Sequence, residues 1–150
     1  MITFRQMWDR QAAWSERAFG KERGPLGPLK HLLLELDEID AAAPDARVLE
    51  WADALILACD ATRRAGGAAP SARVPGDVDR FRLRAAVDKL IADDAPAGRL
   101  YDLIDDIFAC AAADGVCADD LIAAAYVKTL INERRVWLRA VEGEPAERVR

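Results

Sequence analysis

The chain has 150 residues, and its 21 lysines and arginines against 26 aspartates and glutamates give a formal net charge of −5 at pH 7. This acidic balance argues against a surface that binds polynucleotides, because such a surface needs clustered positive charge. With 52% hydrophobic and 31% charged residues, the composition is that of a single globular domain over residues 1–150, and it excludes a disordered chain.

Alanine and leucine dominate the sequence, and no segment has the period-2 alternation of a half-buried strand, which predicts an all-α fold. Thr3 and Gln6 have the spacing of a capping box at the start of the first helix. Pro28 is typical of a first helical residue, Asp45 of an N-cap, and Asp77 opens the fourth helix. The predicted helices run over about residues 4–20, 28–41, 46–65, 77–93, 100–115 and 119–141.

Several features limit where the protein acts. The sequence has no apolar run of about 18 residues, and its first residues lack the apolar block of a signal peptide. We therefore expect a cytoplasmic protein that contacts no membrane.

Cys59, Cys110 and Cys117 lack CxxC spacing and are predicted to be small buried side chains. The tail, at about residues 142–150, is expected to fray.

Two pairs of acids are spaced i, i+3 on the second and third predicted helices: Glu35 with Glu38, and Glu50 with Asp53. Each pair shares a face of its helix. Since only a short turn joins the two helices, an antiparallel hairpin places Glu38 opposite Glu50 and Glu35 opposite Asp53. The sequence therefore predicts four carboxylates in one patch, and the alternative is an ordinary solvated acidic face.

Four carboxylates so close together repel one another unless a positive charge lies among them. Oxygen ligands without cysteine, and with His31 as the single histidine, favour Mg²⁺ or Mn²⁺ over zinc or copper. A di-iron site also uses acids on facing helices but needs more histidines. Two or more Mg²⁺ ions per site are expected, and Mg²⁺ commonly takes substrate phosphates as further ligands, which points to a phosphate ester or anhydride.

A second polar group lies near the end of the last predicted helix, where Lys128, Asn132 and Arg135 are spaced i, i+4 and i+7. They therefore lie on one face of this helix, where two cations and an amide form a phosphate-binding set. The alternative is a solvated face at a basic helix end. Asp60 continues the acidic face of the third helix, as a further metal ligand or as a structural group.

Four sequence words in order resemble the MazG-like all-α nucleoside triphosphate pyrophosphohydrolases, and in particular the dATP/dGTP diphosphohydrolase branch with its MazZ-type phage enzymes. The acid motif E-x-x-E, eleven residues, E-x-x-D lies within two of these words. The words are WS-(x)₃-FG at 14–20, GPLKHLLLELDE at 27–38, EWADALIL at 50–57 and K-x-x-x-N-x-x-R-x-W at 128–137. The resemblance covers about residues 5–65 and 100–138, and residues 66–99 have the character of an insertion.

The resemblance implies a helical bundle that hydrolyses a purine (deoxy)nucleoside triphosphate, with dGTP or GTP favoured over dATP, to the monophosphate and pyrophosphate. It also implies a homodimer or homotetramer, located in the host cytoplasm if a phage encodes it. Glu35, Glu38, Glu50 and Asp53 are then the metal ligands, with Glu38 and Glu35 as catalytic groups. Trp14 and His31 are candidates for the base pocket, although a tryptophan at helical spacing also suits the core and His31 could instead orient a carboxylate.

Two other functions fit the same residues. A pyrophosphohydrolase for dCTP, dUTP or a damaged nucleotide would keep the chemistry and change the base. A non-catalytic helical module would use the acids only to bind a metal or a nucleotide.

Overall fold

The computed structural model describes residues 1–70, 78–94 and 97–149. All regular elements of these ranges are helical, which confirms the predicted all-α bundle. A single 3₁₀ turn, Pro44–Ala46, links the second and third helices. The α-helices are α1 (Phe4–Phe19), α2 (Leu26–Ala41), α3 (Arg47–Arg64), α4 (Arg80–Ala92), α5 (Ala97–Ala113) and α6 (Ala118–Arg134).

The capping box at the first helix forms as the sequence predicts. The Thr3 hydroxyl accepts a hydrogen bond from the Gln6 backbone N–H at 3.1 Å, and the Thr3 N–H donates to Gln6 Oε1 at 2.8 Å. These two bonds satisfy backbone groups that a helix start leaves without partners. The chain reverses at Gly20, whose φ of 84° suits a residue without a Cβ.

The starts of α2, α3 and α4 differ from the prediction. Helix α2 begins at Leu26, so Pro28 lies inside its first turn. Asp45 lies in the 3₁₀ turn and caps nothing, because the tight turn carries the chain straight into α3. Asp79 is the N-cap of α4, and its side chain accepts from the Arg82 N–H, whereas Asp77 falls outside the described residues.

Helix α3 occupies the centre of the bundle and packs against α1, α2, α5 and α6. Its Trp51 and Leu55 are completely buried, and small residues such as Ala54 and Ala58 allow the neighbouring helices to approach closely. Helices α2 and α3 are joined by a short turn and pack along each other. Glu35 and Glu38 of α2 therefore lie on the same side of this central hairpin as Glu50 and Asp53 of α3.

Helix α4, in the 66–99 segment, covers the side of α2 that carries Asp37 and Asp40. The Arg84 guanidinium donates to Asp37 Oδ1 at 2.6 Å, and Arg80 lies 3.0 Å from Asp40. These ion pairs attach α4 to the exposed edge of α2.

The C-terminal segment folds back on the bundle, which differs from the predicted frayed tail. Helix α6 ends at Arg134 and does not reach Val141. An antiparallel bridge pairs Trp137 with Arg148, and the Lys30 ammonium lies 3.1 Å from Glu144 Oε1. Glu142 and Glu144 bond to the α1–α2 loop and to α2, and residues 147–149 bond to the backbone of residues 136–138. No helical periodicity encodes these long-range bonds.

Two further observations concern expectations from composition. Cys59 and Cys110 are buried, but Cys117 is exposed because it precedes α6 at a surface turn, so the prediction of three buried cysteines is wrong for Cys117. Burial raises the pKa of the Cys110 thiol to about 11. Among the described helices, none is both long and apolar enough to span a bilayer.

Candidate active site

A cavity of about 770 Å³ opens between α1, α2, α3, α6 and the C-terminal segment. This volume is within the range of small-molecule sites in proteins. All nine residues that the sequence nominates line it: Trp14, His31, Glu35, Glu38, Glu50, Asp53, Lys128, Asn132 and Arg135. None of the described residues of the 66–99 segment does.

Three of the four acids meet at one place in this cavity. Carboxylate oxygens of Glu35, Glu38 and Glu50 lie within 4.8 Å of one another, across the α2–α3 hairpin. Glu35 is only 7% exposed, and among the described residues its Oε2 has no hydrogen-bond partner. The other oxygen of Glu35 lies 3.2 Å from His31 Nε2, one helical turn earlier on α2.

The fourth acid, Asp53, lines the same cavity but has a different partner. Its Oδ2 lies 2.9 Å from the Lys128 ammonium of α6, and both side chains are largely buried. The predicted patch of four acids is therefore three converging carboxylates beside one ion pair. The reason is electrostatic, since a lysine from the helix packed against α3 relieves the repulsion that a fourth neighbouring carboxylate would feel.

Two acids of α3, Glu50 and Asp53, have raised pKa values. Burial raises the pKa of Glu50, and the neighbouring carboxylates of Asp53 and Glu35 raise it further. Burial also raises the pKa of Asp53, and this effect outweighs the opposing attraction of Lys128. Such shifts are typical of buried, closely spaced carboxylates and are a recognised mark of functional sites.

The three converging carboxylates fit a hard divalent cation. All the ligand atoms are carboxylate oxygens, which Mg²⁺ and Mn²⁺ prefer. Glu35 Oε2 is a buried acceptor to which no described residue donates. The cluster could therefore hold a metal ion through residues of both helices.

The polar group at the end of α6 differs in conformation from the prediction. Arg135 has extended backbone angles (φ −83°, ψ 151°), so it lies beyond the helix and the i, i+7 argument does not apply to it. Its guanidinium still lines the cavity and donates to Asn132 Oδ1 at 3.2 Å. The Asn132 carbonyl accepts from Trp137 Nε1 at 3.1 Å, which fixes the start of the C-terminal segment.

Another part of the cavity wall is aromatic. Trp14, Phe19 and Trp137 form a triangle in which every pair of ring centroids is 5.4–5.6 Å apart. The Arg23 guanidinium lies 5.3 Å from the Phe19 ring. Local sequence patterns do not predict Phe19, Arg23 or Trp137 as site residues, because only the tertiary fold brings the α1–α2 loop and the C-terminal segment together. The signal for two of them was their presence in the WS-(x)₃-FG and K-x-x-x-N-x-x-R-x-W words.

Asp60, considered in the sequence as a further metal ligand, has arginine partners. It accepts hydrogen bonds from Arg63 at 2.8 Å and from Arg64 at 3.0 Å. Both pairs lie on α3, about two helical turns beyond Asp53. In this arrangement Asp60 has the structural role, because two guanidinium groups already satisfy its oxygens.

The part of the chain that carries these acids is similar to a known protein family. Residues 7–72 match the family model of dATP/dGTP pyrophosphohydrolases. The match confirms the predicted resemblance and the predicted enzyme class, a nucleoside triphosphate pyrophosphohydrolase. No curated protein and no solved structure matches the chain.

The dATP/dGTP pyrophosphohydrolase match includes all four acids and ends well before α6. Enzymes of this kind act on a small nucleotide, and the family is consistent with hydrolysis that depends on a divalent metal. The candidate site is thus lined by the matched segment together with α6 and a C-terminal segment that lie outside the match.

Proposed function

We propose that the protein is a Mg²⁺-dependent pyrophosphohydrolase of purine deoxynucleoside triphosphates, with dGTP preferred over dATP. The products are the nucleoside monophosphate and pyrophosphate. The observation that carries this proposal is the convergence of Glu35, Glu38 and Glu50, with a buried and unpartnered oxygen on Glu35, in a cavity that also contains cationic and aromatic side chains.

The acids would hold Mg²⁺, or Mn²⁺ as a substitute, in two or more ions per site. Bound Mg²⁺ supplies Lewis acidity at the α-phosphate and charge compensation for the pyrophosphate leaving group. Glu35 is kept in position by burial and by His31, so its free oxygen points to a fixed place. Glu38 is the most exposed of the three clustered acids, and we assign it to orient and deprotonate the attacking water.

Asp53 belongs to the same set through its ion pair. In the absence of nucleotide, the Lys128 ammonium neutralises this carboxylate. Lys128 lines the cavity, and its flexible stem and point charge would suit it to contact a substrate phosphate. Asn132 and Arg135 complete the phosphate contacts, Arg135 as a planar fork and Asn132 as the amide that orients it.

The aromatic wall suits the base. Trp14 is 7% exposed and lies against Trp137 and Phe19, and indole faces are favourable surfaces for stacking a purine. His31 also lines the cavity, but its contact with Glu35 favours the carboxylate-orienting role over base contact.

The test is incubation of the purified protein with each of the eight common ribo- and deoxynucleoside triphosphates in Mg²⁺, with both products identified. We expect dGTP to be hydrolysed fastest, dATP next, and pyrophosphate to appear in equal amounts with the monophosphate. A chelator should abolish turnover. Stepwise release of orthophosphate would contradict attack at the α-phosphorus, and a faster rate with dCTP or dUTP would replace the purine proposal by its pyrimidine alternative.

We also propose that the chain assembles as a homodimer or homotetramer, as its resemblance implies. Val127 and Ile131, spaced i, i+4 on the outer side of α6, are 50% and 40% exposed and offer an apolar stripe for self-association. Light scattering after gel filtration should give a mass of two or four chains. We expect Val127→Glu to reduce that mass, and a monomeric mass for the unaltered chain would disprove the proposal.

A further inference from the structure

Helix α1 carries one polar side chain that the proposed reaction does not use. Gln11 lies in the apolar stripe of α1, is 1% exposed, and lines the cavity together with Trp14, three residues further on. Within the described residues its Nε2 has no hydrogen-bond partner. Buried amide groups are nearly always paired in folded proteins, so an unpaired donor at a ligand cavity indicates a partner on the ligand.

The other side chains of the cavity indicate which part of the ligand Gln11 contacts. Phosphate oxygens already have charged partners available in Lys128 and Arg135, and a neutral amide would add little beside them. Gln11 instead shares a helix face with Trp14, which belongs to the aromatic wall. A neutral donor and acceptor beside a stacking surface is the combination that recognises the edge of a base.

A carboxamide is suited to both purines of the proposed substrates. Its NH₂ group can donate to the 6-oxo group of guanine, and a rotation of 180° about the terminal bond presents its oxygen to the 6-amino group of adenine. A hydroxyl group is shorter, and a carboxylate or an ammonium offers one of these two functions only.

We propose that Gln11 is a specificity-determining residue that reads position 6 of the purine base. This inference rests on the proposed purine nucleotide function and adds the residue that contacts the base edge. It explains how one pocket accepts both a 6-oxo and a 6-amino purine, and it requires that a purine without a 6-substituent loses the contact.

The experiment compares Gln11→Met with the unaltered chain on three substrates: dGTP, dATP and the deoxynucleoside triphosphate of unsubstituted purine. In the unaltered chain we expect kcat/KM for the unsubstituted purine to be roughly tenfold to 100-fold below that for dGTP. Gln11→Met should lower kcat/KM for dGTP and dATP by a similar factor and leave the unsubstituted purine within about threefold, because the methionine fills the same space without hydrogen bonds.

The matched control is Ala13→Met, which places the same side chain at an exposed position of α1 and should change none of the three values. Gln11→Asn keeps the amide on a shorter stem and provides a second variant if methionine disturbs the helical circular dichroism. An equal loss on all three substrates would overturn the proposal, because Gln11 would then act on the sugar, the phosphates or the cavity shape. No preference of the unaltered chain for 6-substituted purines would overturn it as well.

A binding measurement separates this inference from the proposed reaction. Trp14 and Trp137 line the cavity, so tryptophan fluorescence should report the dissociation constants of dGMP, dAMP and the unsubstituted purine monophosphate. If the protein releases no pyrophosphate but the monophosphates follow the expected order and Gln11→Met removes it, the reaction is wrong and the role of Gln11 stands. If pyrophosphate is released and the three monophosphates bind equally, the role of Gln11 is wrong.

Discussion

Replacing Glu35 with glutamine is expected to lower kcat for dGTP by about 10²–10⁴-fold, the range over which a single positioned ionisable or electrostatic group contributes to catalysis. The substitution keeps the size of the side chain and removes its charge. Glu35 is buried, and its Oε2 is the acceptor that the rest of the described chain leaves unpartnered. The amide that replaces it presents a donor toward Glu38 and Glu50, where the proposed site needs a cation ligand.

The measurement is pyrophosphate release at several Mg²⁺ concentrations, with helical circular dichroism as the test of folding. We expect Glu35→Gln to raise the Mg²⁺ concentration needed for half-maximal rate as well as lowering the maximum. Asp37→Asn is the matched control, because Asp37 lies two residues away on α2 but points to Arg84 and does not line the cavity. A normal rate in Glu35→Gln, with Asp37→Asn unchanged, would remove Glu35 from the catalytic site.

The position of the acid cluster could be predicted from the sequence because it depends on local geometry. Spacings of three residues place two acids on one face of a helix, and a turn of few residues forces neighbouring helices to be antiparallel. The register of Glu38 opposite Glu50 follows from those two facts, and both residues lie in the cluster. The 3₁₀ turn changes the cap of α3 but leaves this register in place.

The partner of Asp53 could not be predicted in this way. Lys128 lies 75 residues along the chain, and its approach depends on how α6 packs against α3, which no short-range pattern encodes. The sequence places Lys128 near phosphate and Asp53 near metal, whereas in the folded chain the two neutralise each other. The same limit applies to the C-terminal segment, whose bridge between Trp137 and Arg148 depends on long-range hydrogen bonds.

The sequence predicts that Gln11 is buried but does not identify its hydrogen-bond partner. Its position within the stripe of Met7, Trp8 and Trp14 places it on the buried face of α1. A polar residue at such a position has either a protein partner or a ligand partner, and only the folded structure distinguishes the two. Arg135 is the opposite case: the sequence places it on the α6 face by periodicity, yet it reaches the cavity although the helix has already ended.

The largest expected effect on stability concerns Arg64, the arginine at the end of α3. Its side chain is completely buried and donates to the Asp60 carboxylate, to the carbonyls of Gly20 and Arg23, and to the Ser15 hydroxyl. These bonds tie the α1–α2 loop to the central helix. Arg64→Ala should lower the free energy of unfolding by about 3–5 kcal/mol, because it breaks a buried ion pair and leaves several buried acceptors without donors.

Urea denaturation followed by circular dichroism measures this effect, and Arg5→Ala is the control. Arg5 also pairs with an aspartate on a helix, at 2.9 Å from Asp9, but both side chains are more than half exposed, so its loss should change the unfolding free energy by no more than about 1 kcal/mol. Arg64→Lys keeps the charge but loses the planar fork that serves several acceptors at once, and it should fall between the two.

The position of Arg64 also predicts an effect on activity. This effect distinguishes a role in holding the α1–α2 loop from a role in overall stability alone. Arg23, whose carbonyl Arg64 holds, lines the cavity and lies over the Phe19 ring of the aromatic wall. In Arg64→Lys, assayed at a temperature at which the chain is fully folded, KM for dGTP should therefore rise while kcat changes little, since the acid cluster on the α2–α3 hairpin is untouched. A fall in kcat with unchanged KM would mean that Arg64 supports the acids, through Asp60 and α3, and not the α1–α2 loop.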